Sequence, residues 1–278
     1  MSEITNVSAE NQLVTYFEEI NIGVITALQS ELNAIIRLAD SYETIVSSRT
    51  YYKLKFTTQC KSFQIIGHTL DQMGIASMAI ASMDLINSFP LKYLALIGIA
   101  AGSDSKSQNL GDIVVPTAVY NYESGKYHEV KSKIPFFPAK LTFSCDYKSY
   151  QIDTEIIQKI RACNNQEFLD EIQNGWHTKQ KQKLSIHFGD FACGSAVIAS
   201  AKKTKEIEKQ ISRKYQGLDM ESYALAAISH IKTKKEPKLF VLKSITDFAD
   251  KSKGDNAHEY ASYTSACFFK KVCELVLS

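Results

Sequence analysis

Hydrophobic and polar residues follow two patterns along the chain, one typical of buried strands and the other typical of helices. Three continuous apolar runs, Ile22–Leu28, Leu94–Ala100 and Leu239–Ile245, are typical of strands buried on both faces of a sheet. Apolar residues recur at helical spacing in Glu31–Leu38 and in His258–Leu277. Strands that alternate with helices predict an α/β fold with a mixed, mostly parallel central sheet flanked by helices.

Shorter segments continue this pattern without a linker that would divide it. We therefore expect one domain over residues 21–278, preceded by an N-terminal extension over 1–20. The segment from about 121 to 182 is the least regular, with helical patches near 153–162 and 167–173, and such long excursions tend to form functional rims or oligomer contacts. The remaining strand-like segments are Tyr51–Phe56, Phe63–Gly67, Gly111–Val115, Leu184–Phe188 and Ser195–Ile198, and the remaining helical ones are Gly74–Ile86, 203–214 and Ser222–Ile231.

Composition and charge exclude several classes of protein. Hydrophobic residues make up 45% of the chain and charged residues 22%, which is the usage of a globular protein and not of a disordered one. The net charge of +2 is too small to indicate a nucleic-acid partner, and no apolar run approaches the ~20 residues of a membrane-spanning helix. The six cysteines form no CxxC pair and no signal peptide precedes them, so we expect reduced thiols in a cytoplasmic protein. The six histidines, His258 among them, show no metal-ligand spacing and are expected to be structural or surface residues.

Candidate chemistry lies where the predicted strands end. Ligands of α/β sheets bind at the carboxyl ends of the strands. Three segments leave such ends, Thr26–Glu31, Ile99–Gly102 and Thr246–Asp250, and a fourth, Gly217–Ser222, presents two carboxyl groups at a predicted helix start. Taken alone, these acids also suit structural roles, as first-turn helix acids or as caps of turns.

Four blocks in these segments resemble a known family. The sequences IGVITALQSEL, GIAAG followed by GDIVV, LDMES and SITDFAD occur in the order found in the nucleoside phosphorylase/nucleosidase superfamily. The chain is most similar to the branch that contains 5′-methylthioadenosine/S-adenosylhomocysteine nucleosidase, and the blocks extend from residue 22 to about 275. The resemblance implies the fold of that superfamily and cleavage of an N-glycosidic bond.

The resemblance also implies a role for each matching residue. Glu31 lies where these nucleosidases keep the carboxylate that positions and deprotonates the attacking water, and Asp247 where they keep the acid that protonates the leaving purine at N7. Glu221 matches the carboxylate that accepts hydrogen bonds from the ribose hydroxyls, and Met220 matches the thioether beside the sugar. Asp219 is expected to be a helix cap or structural partner. The positions that match base contacts or the small-residue loop that admits the substrate are Val197, Ile198, Ala100, Ala101 and Gly102.

These residue types suit the chemistry. Departure of a base from an anomeric carbon builds an oxocarbenium-like sugar, as in other glycoside cleavages that use two carboxyl groups. One carboxylate accepts a proton from water while a second carboxyl group donates one to the base, which requires pKa values pushed apart by their surroundings.

Water is the expected nucleophile. A phosphate site needs arginine or lysine and glycine-rich backbone donors near the first and middle strand exits. This chain has TALQSE at 26–31, an apolar run at Ile97–Ile99 and only four arginines, and Glu31 would repel phosphate. Hydrolysis is therefore favoured, with a phosphate-dependent purine nucleoside phosphorylase as the alternative.

The substrate stays open because the chain departs from the branch that it resembles. Gln29–Ser30 stands where acids are common, Ile99 where a small polar residue is common, Ser195 where Asp is common, and Val197 where an aromatic ring often stacks on adenine. We expect a purine nucleoside or nucleotide, with an adenine-type substrate favoured. The resemblance leaves open a nucleotide-depleting defence effector, and a catalytically idle purine sensor also stays open. The resemblance further implies a homodimer or higher homo-oligomer, with no metal or organic cofactor and with neither nucleic acid nor membrane as a partner.

Overall fold

A computed structural model describes residues 20–275 and 277, apart from 48, 58–61, 105, 132–135, 137, 147, 232–235 and 250–254. The predicted extension over 1–20 lies outside the described residues except for Ile20, where the first strand begins. Cys60 and Asp250 also lie outside them. The strands are β1 (Ile20–Thr26), β2 (Ser41–Val46), β3 (Thr50–Thr57), β4 (Ser62–Thr69), β5 (Tyr93–Gly102), β6 (Ile113–Asn121), β7 (Gly125–Val130), β8 (Lys140–Cys145), β9 (Ser149–Gln151), β10 (Ile186–Cys193), β11 (Tyr215–Asp219) and β12 (Lys238–Asp247). The helices are α1 (Gln29–Ile36), α2 (Ile75–Ser88), α3 (Thr154–Ala162), α4 (Gln166–Asn174), α5 (Ala201–Ile211), α6 (Ser222–Ile228) and α7 (Asp255–Leu275).

The strands other than β7 and β8 form one mixed sheet. Its order is β11-β10-β6-β12-β5-β1-β4-β3-β2, and β9 pairs with β6. The centre is parallel, because β12, β5, β1 and β4 all run the same way. β6, β10 and β11 form a second parallel group, which joins the first through the antiparallel β6–β12 pair. The prediction of a single α/β domain with a mixed central sheet is confirmed.

One extra pairing bends the sheet toward a barrel. β11 also pairs antiparallel with the end of β5, Gly217 opposite Gly102 and Leu218 opposite Ala101. The strands β5, β12, β6, β10 and β11 therefore close into a ring. The last residues of β11 cross the region where β5 and β12 end, so side chains from three strands meet there.

The long apolar runs form the core, as their pattern predicts. In β5 the residues from Tyr93 to Gly98 are buried, and in β12 those from Leu239 to Asp247 are buried. A strand that is covered on both faces must be apolar at odd and at even positions. These segments are therefore continuous apolar runs and do not alternate between apolar and polar residues. α7 packs against β12, β5 and α1, and it fixes the position of α1 beside the carboxyl ends of the central strands.

Some elements differ from the sequence prediction. The irregular segment 121–182 contains the hairpin β7–β8 and the short strand β9 as well as the two predicted helices. Ser195–Ile198, predicted as a strand, is a loop. In Gly217–Ser222, predicted to lie at a helix start, the first three residues belong to β11, and α6 begins at Ser222 as predicted. β2 and β7 were missed because both are mostly exposed and carry no apolar alternation.

In the part of the chain that the structure describes, the helices are too short or too polar to cross a membrane.

Candidate active site

A cavity of about 310 Å³ lies at the carboxyl ends of β1, β5 and β12. Most of the site residues that the sequence predicts line this cavity, and they come from separate segments of the chain. They are Glu31, Ala100, Ala101, Val197, Ile198, Met220, Glu221 and Asp247. Gly102 lies outside the lining, because β11 pairs with it and a side chain there would meet Gln108 and Phe248. The fold thus brings the four sequence blocks and a fifth segment, Val197–Ile198, to one concave surface.

Backbone amides fix the carboxylate of Glu31. The residue lies in the first turn of α1 and is 2% exposed. Its Oε2 accepts a hydrogen bond from the Leu28 N–H at 2.8 Å, and its Oε1 accepts one from the Ile99 N–H at 2.8 Å. The carboxylate therefore bridges the start of α1 and the end of β5.

Gly98 makes room for this carboxylate. A Cβ atom at position 98 would lie 2.6 Å from Cδ and 2.9 Å from Oε2 of Glu31. Gly98 is needed here because of close approach, since its backbone is not in the left-handed region. The residue opposite Gly98 on β12 is Lys243.

Lys243 is the charged residue that the sequence analysis missed. It is completely buried, and its Nζ lies 3.4 Å from Asp219 Oδ2 and 3.6 Å from Glu221 Oε2. A signal was present, because a lysine within the apolar run Leu239–Ile245 must be paired if that strand is buried. The cation therefore belongs to a cluster with the carboxyl groups of Glu31, Asp219 and Glu221.

The cluster changes the acidity of its members. Burial raises the pKa of Glu31, and the nearby Lys243 and the backbone hydrogen bonds offset only part of that rise. Burial also raises the pKa of Glu221 to about 7, against the opposing effect of Lys243 and with the help of Asp219 and Glu31. Burial alone would lower the pKa of Lys243, but the facing carboxylates hold it above its usual range. The site thus contains a permanent cation, Lys243, beside the Glu221 carboxyl group, whose pKa is about 7.

Hydrogen bonds of the Asp219 and Glu221 carboxyl groups hold the segment that follows β11. Asp219 Oδ1 accepts hydrogen bonds from the Ser222 backbone N–H at 3.2 Å and from its hydroxyl at 2.6 Å. Glu221 Oε1 accepts one from the Gly74 N–H at 3.0 Å, and Glu221 is 3% exposed. Asp219 therefore has the structural contacts that the sequence predicted, although it also lines the cavity.

The wall at the end of β12 carries Asp247. Its Oδ1 accepts a hydrogen bond from the Ala249 N–H at 2.7 Å, and it is 7% exposed. Ala249 has φ = 53°, so the chain turns sharply just after the carboxyl group. A half-buried His258 from the first turn of α7 also lines the cavity, a position that the sequence did not predict for it.

Apolar side chains form most of the remaining wall. Met73 and Val197 line the cavity but are 43% and 59% exposed, so they lie at its mouth. Sequence reasoning missed Met73 because its segment carries no periodic signal. Among the described residues, no three His, Cys, Asp or Glu side chains are grouped so that they could hold a metal ion. The arrangement is a mostly apolar cavity whose lining includes the carboxyl groups of Glu31, Asp219, Glu221 and Asp247.

Comparisons with known proteins identify the fold and the family of the chain. The chain is 29% identical over 198 residues to the uncharacterized protein y4jS of Sinorhizobium fredii; the match covers 71% of this chain but only 46% of that relative's length. It is 24% identical over 247 residues to 5′-methylthioadenosine/S-adenosylhomocysteine nucleosidase of Buchnera aphidicola, which covers 88% of this chain and 84% of the relative. The solved structure of futalosine hydrolase from Helicobacter pylori shares the fold, with a TM-score of 0.66 at 18% identity over 92% of this chain and 97% of that one. A model of the phosphorylase superfamily matches residues 21–278, and the chain therefore belongs to the phosphorylase superfamily.

Proposed function

We propose that the chain hydrolyses the N-glycosidic bond of a purine nucleoside or nucleotide, with an adenine-type substrate favoured, and releases the free base and the sugar. The observation that carries this proposal is the fixed carboxylate of Glu31, which shares one apolar cavity with Asp247. The names of two similar proteins, a nucleosidase from Buchnera aphidicola and a hydrolase from Helicobacter pylori, support the reaction class.

The proposed mechanism divides the work between two carboxyl groups. Asp247 donates a proton to N7 of the purine while the bond to the anomeric carbon breaks, and the sugar acquires oxocarbenium character. Glu31 accepts a proton from water as the water oxygen bonds to that carbon. The raised pKa of Glu31 makes it a stronger base than an ordinary exposed glutamate, because the buried carboxylate gains by taking up a proton.

Glu221 and Lys243 support the sugar. Glu221 accepts hydrogen bonds from the ribose hydroxyls, and its ionised form is the stronger acceptor. Lys243 lies 3.6 Å from it and favours that form electrostatically. Without the cation, burial would favour the protonated forms of Glu31 and Glu221, which are weaker acceptors and cannot act as bases.

The charges of the cavity favour water over phosphate as nucleophile. The lining contains the carboxyl groups of Glu31, Asp219, Glu221 and Asp247, which repel an anion. Of the described lining residues, His258 is the basic one, and Lys243 behind them is already paired with carboxylates. An anionic nucleophile would thus enter a site in which Lys243, the strong cation among its described residues, is already paired with carboxylates.

The test is a chromatographic screen for released base. The panel contains methylthioadenosine, S-adenosylhomocysteine, adenosine, inosine, guanosine, AMP and ATP, each with and without inorganic phosphate. We expect release without phosphate, at a rate reduced by orders of magnitude in Glu31→Gln and in Asp247→Asn. Glu43→Gln, which changes a half-exposed carboxylate on β2, is the matched control and is expected to keep the wild-type rate.

The remaining outcomes of the screen each support a different function. Release only with phosphate indicates a phosphorylase. Release from ATP or AMP alone favours the nucleotide-depleting effector. No release, together with tight binding of a purine, favours an idle sensor. The cytoplasmic location and the homo-oligomer stay predictions.

A further inference from the structure

A corner formed by two residues, Tyr122 and Glu123, lies outside the cavity and contacts the loop that forms one of the cavity walls. Residues 195–200 adopt neither helix nor strand, yet they supply Ala196, Val197 and Ile198 to the lining. Ser195, Ala196 and Val197 are exposed, so this wall has little protein packed on its outer side. The other walls are the ends of strands and helices. The loop therefore needs specific contacts to keep its shape.

Two consecutive residues provide such contacts. Tyr122 and Glu123 follow β6 and precede the hairpin β7–β8. The Tyr122 hydroxyl donates a hydrogen bond to the Ala196 carbonyl at 3.2 Å, and the Ser195 N–H donates one to Glu123 Oε2 at 2.6 Å. Both bonds hold the backbone of the loop, and neither Tyr122 nor Glu123 lines the cavity.

Tyr122 is packed tightly enough to act as a rigid support. It is 4% exposed and belongs to a small apolar cluster with Leu218 and Ile198, both of which line the cavity. The ring also lies against Gly194, where the Cζ and Cε1 atoms occupy the space that a Cβ would need. Gly194 does not have a positive φ, so the requirement for glycine there comes from the tyrosine ring and not from the backbone.

We propose that Tyr122 and Glu123 are positioning residues that hold the wall 195–198 against the bound base, and so set the affinity of the site for its purine. This inference rests on the proposed function only in naming a purine as the ligand. Since the corner touches neither Glu31 nor Asp247, it acts on binding and leaves the proton transfers unchanged.

The first test separates KM from kcat. Tyr122→Phe removes one hydroxyl, and Glu123→Gln removes the charge that strengthens the bond from Ser195. We expect each to raise KM for the best substrate of the screen, and the dissociation constant of its free base, about three- to tenfold, with kcat within about twofold of wild type. Tyr127→Phe, which changes a tyrosine on β7 that is 67% exposed, is the matched control and should leave both constants unchanged.

The second test uses the contact between Tyr122 and Gly194. Gly194→Ala places a methyl group against the ring, and we expect it to raise KM and the dissociation constant. Tyr122→Leu removes the ring, so the double variant Gly194→Ala/Tyr122→Leu should bind no more weakly than Tyr122→Leu alone. Effects that multiply in the double variant contradict the contact, and unchanged binding in Tyr122→Phe and Glu123→Gln, or a loss confined to kcat, overturns the proposal.

Equilibrium binding of free base, measured by calorimetry, distinguishes this failure from failure of the proposed function. A wild-type protein that binds adenine but cleaves nothing refutes the proposed hydrolysis. In that case the dissociation constants of the wild type and the variants for the free base still decide the role of the corner. A wild-type protein that neither binds a purine base nor cleaves a substrate refutes both.

Discussion

Replacing Gly98 with alanine puts a methyl group where the Glu31 carboxylate lies. An ideal Cβ at position 98 would be 2.6 Å from Glu31 Cδ and 2.9 Å from Oε2, well inside van der Waals contact. The β5 backbone is paired with β1 as far as Leu96 and with β12 through Gly98 itself, which lies opposite Lys243. The side chain of Glu31 must therefore move, and it loses the 2.8 Å hydrogen bond from the Ile99 N–H.

The size of the effect follows from the contacts that are lost. A hydrogen bond to a charged group contributes about 1.5–3 kcal/mol, and overpacking a buried site costs about 1–3 kcal/mol of stability. Displacing a catalytic group by ~1 Å lowers a rate by about 100-fold. We expect Gly98→Ala to remain folded, with kcat reduced about 100-fold and KM changed much less, because the base and ribose contacts stay in place.

The assay is base release in phosphate-free buffer, with thermal unfolding of the same samples. Gly23→Ala is the matched control, since it adds a methyl group to the adjacent strand β1, where the three atoms nearest to the Cβ would be the ends of the Leu85, Leu91 and Leu94 side chains. It should lose stability but keep its kcat. A folded Gly98→Ala protein with kcat within about threefold of wild type would refute the placement of Glu31 as the base.

The remaining predictions concern the charged cluster and Asp247. Asp247→Asn should lower kcat by about 10²–10⁴-fold with little change in the dissociation constant of the free base. Lys243→Met should destabilise the fold by about 3–5 kcal/mol at pH 8, measured by urea unfolding, because it leaves buried carboxylates without a cation, and by less at pH 5, where they take up protons. Because burial raises the pKa of Glu31 above its ordinary 4.5, the acidic limb of the kcat/KM profile should lie above pH 4.5. Glu221 has a folded pKa of about 7, so its contribution to stability is complete below pH 4.5 and is lost as the pH rises through 7. Relative to Glu221→Gln, wild type should lose up to about 3 kcal/mol over that range.

The sequence predicts the parts of this molecule that depend on local pattern. The buried strands β1, β5 and β12 are continuous apolar runs, and their exits carry Glu31, Ala100 and Asp247, so both the sheet and the place of the cavity follow from the same pattern. Hydrophobic burial sets that pattern. A strand buried on one face is apolar at every second residue, and a strand buried on both faces is apolar at every residue.

Features made by contacts between distant segments could not be predicted. Gly98 is a glycine because Glu31, 67 positions earlier in the chain, occupies its side-chain space. Lys243 is stable inside a buried strand only because Asp219, at the end of β11, and Glu221, just after it, lie beside it. Tyr122 resembles an ordinary loop tyrosine until the fold places it against Gly194. Each of these residues is determined by its tertiary partners, which local sequence does not reveal.

The identity of the sugar product tests the proposed reaction most directly. The wild-type protein and Glu31→Gln are incubated with the best substrate of the screen in the presence of inorganic phosphate, and the products are identified by mass spectrometry. We predict equal amounts of free purine base and free sugar from the wild type, at a rate independent of phosphate, and almost none from Glu31→Gln. Formation of sugar 1-phosphate, or undiminished release of base by Glu31→Gln, would contradict hydrolysis by water that Glu31 activates.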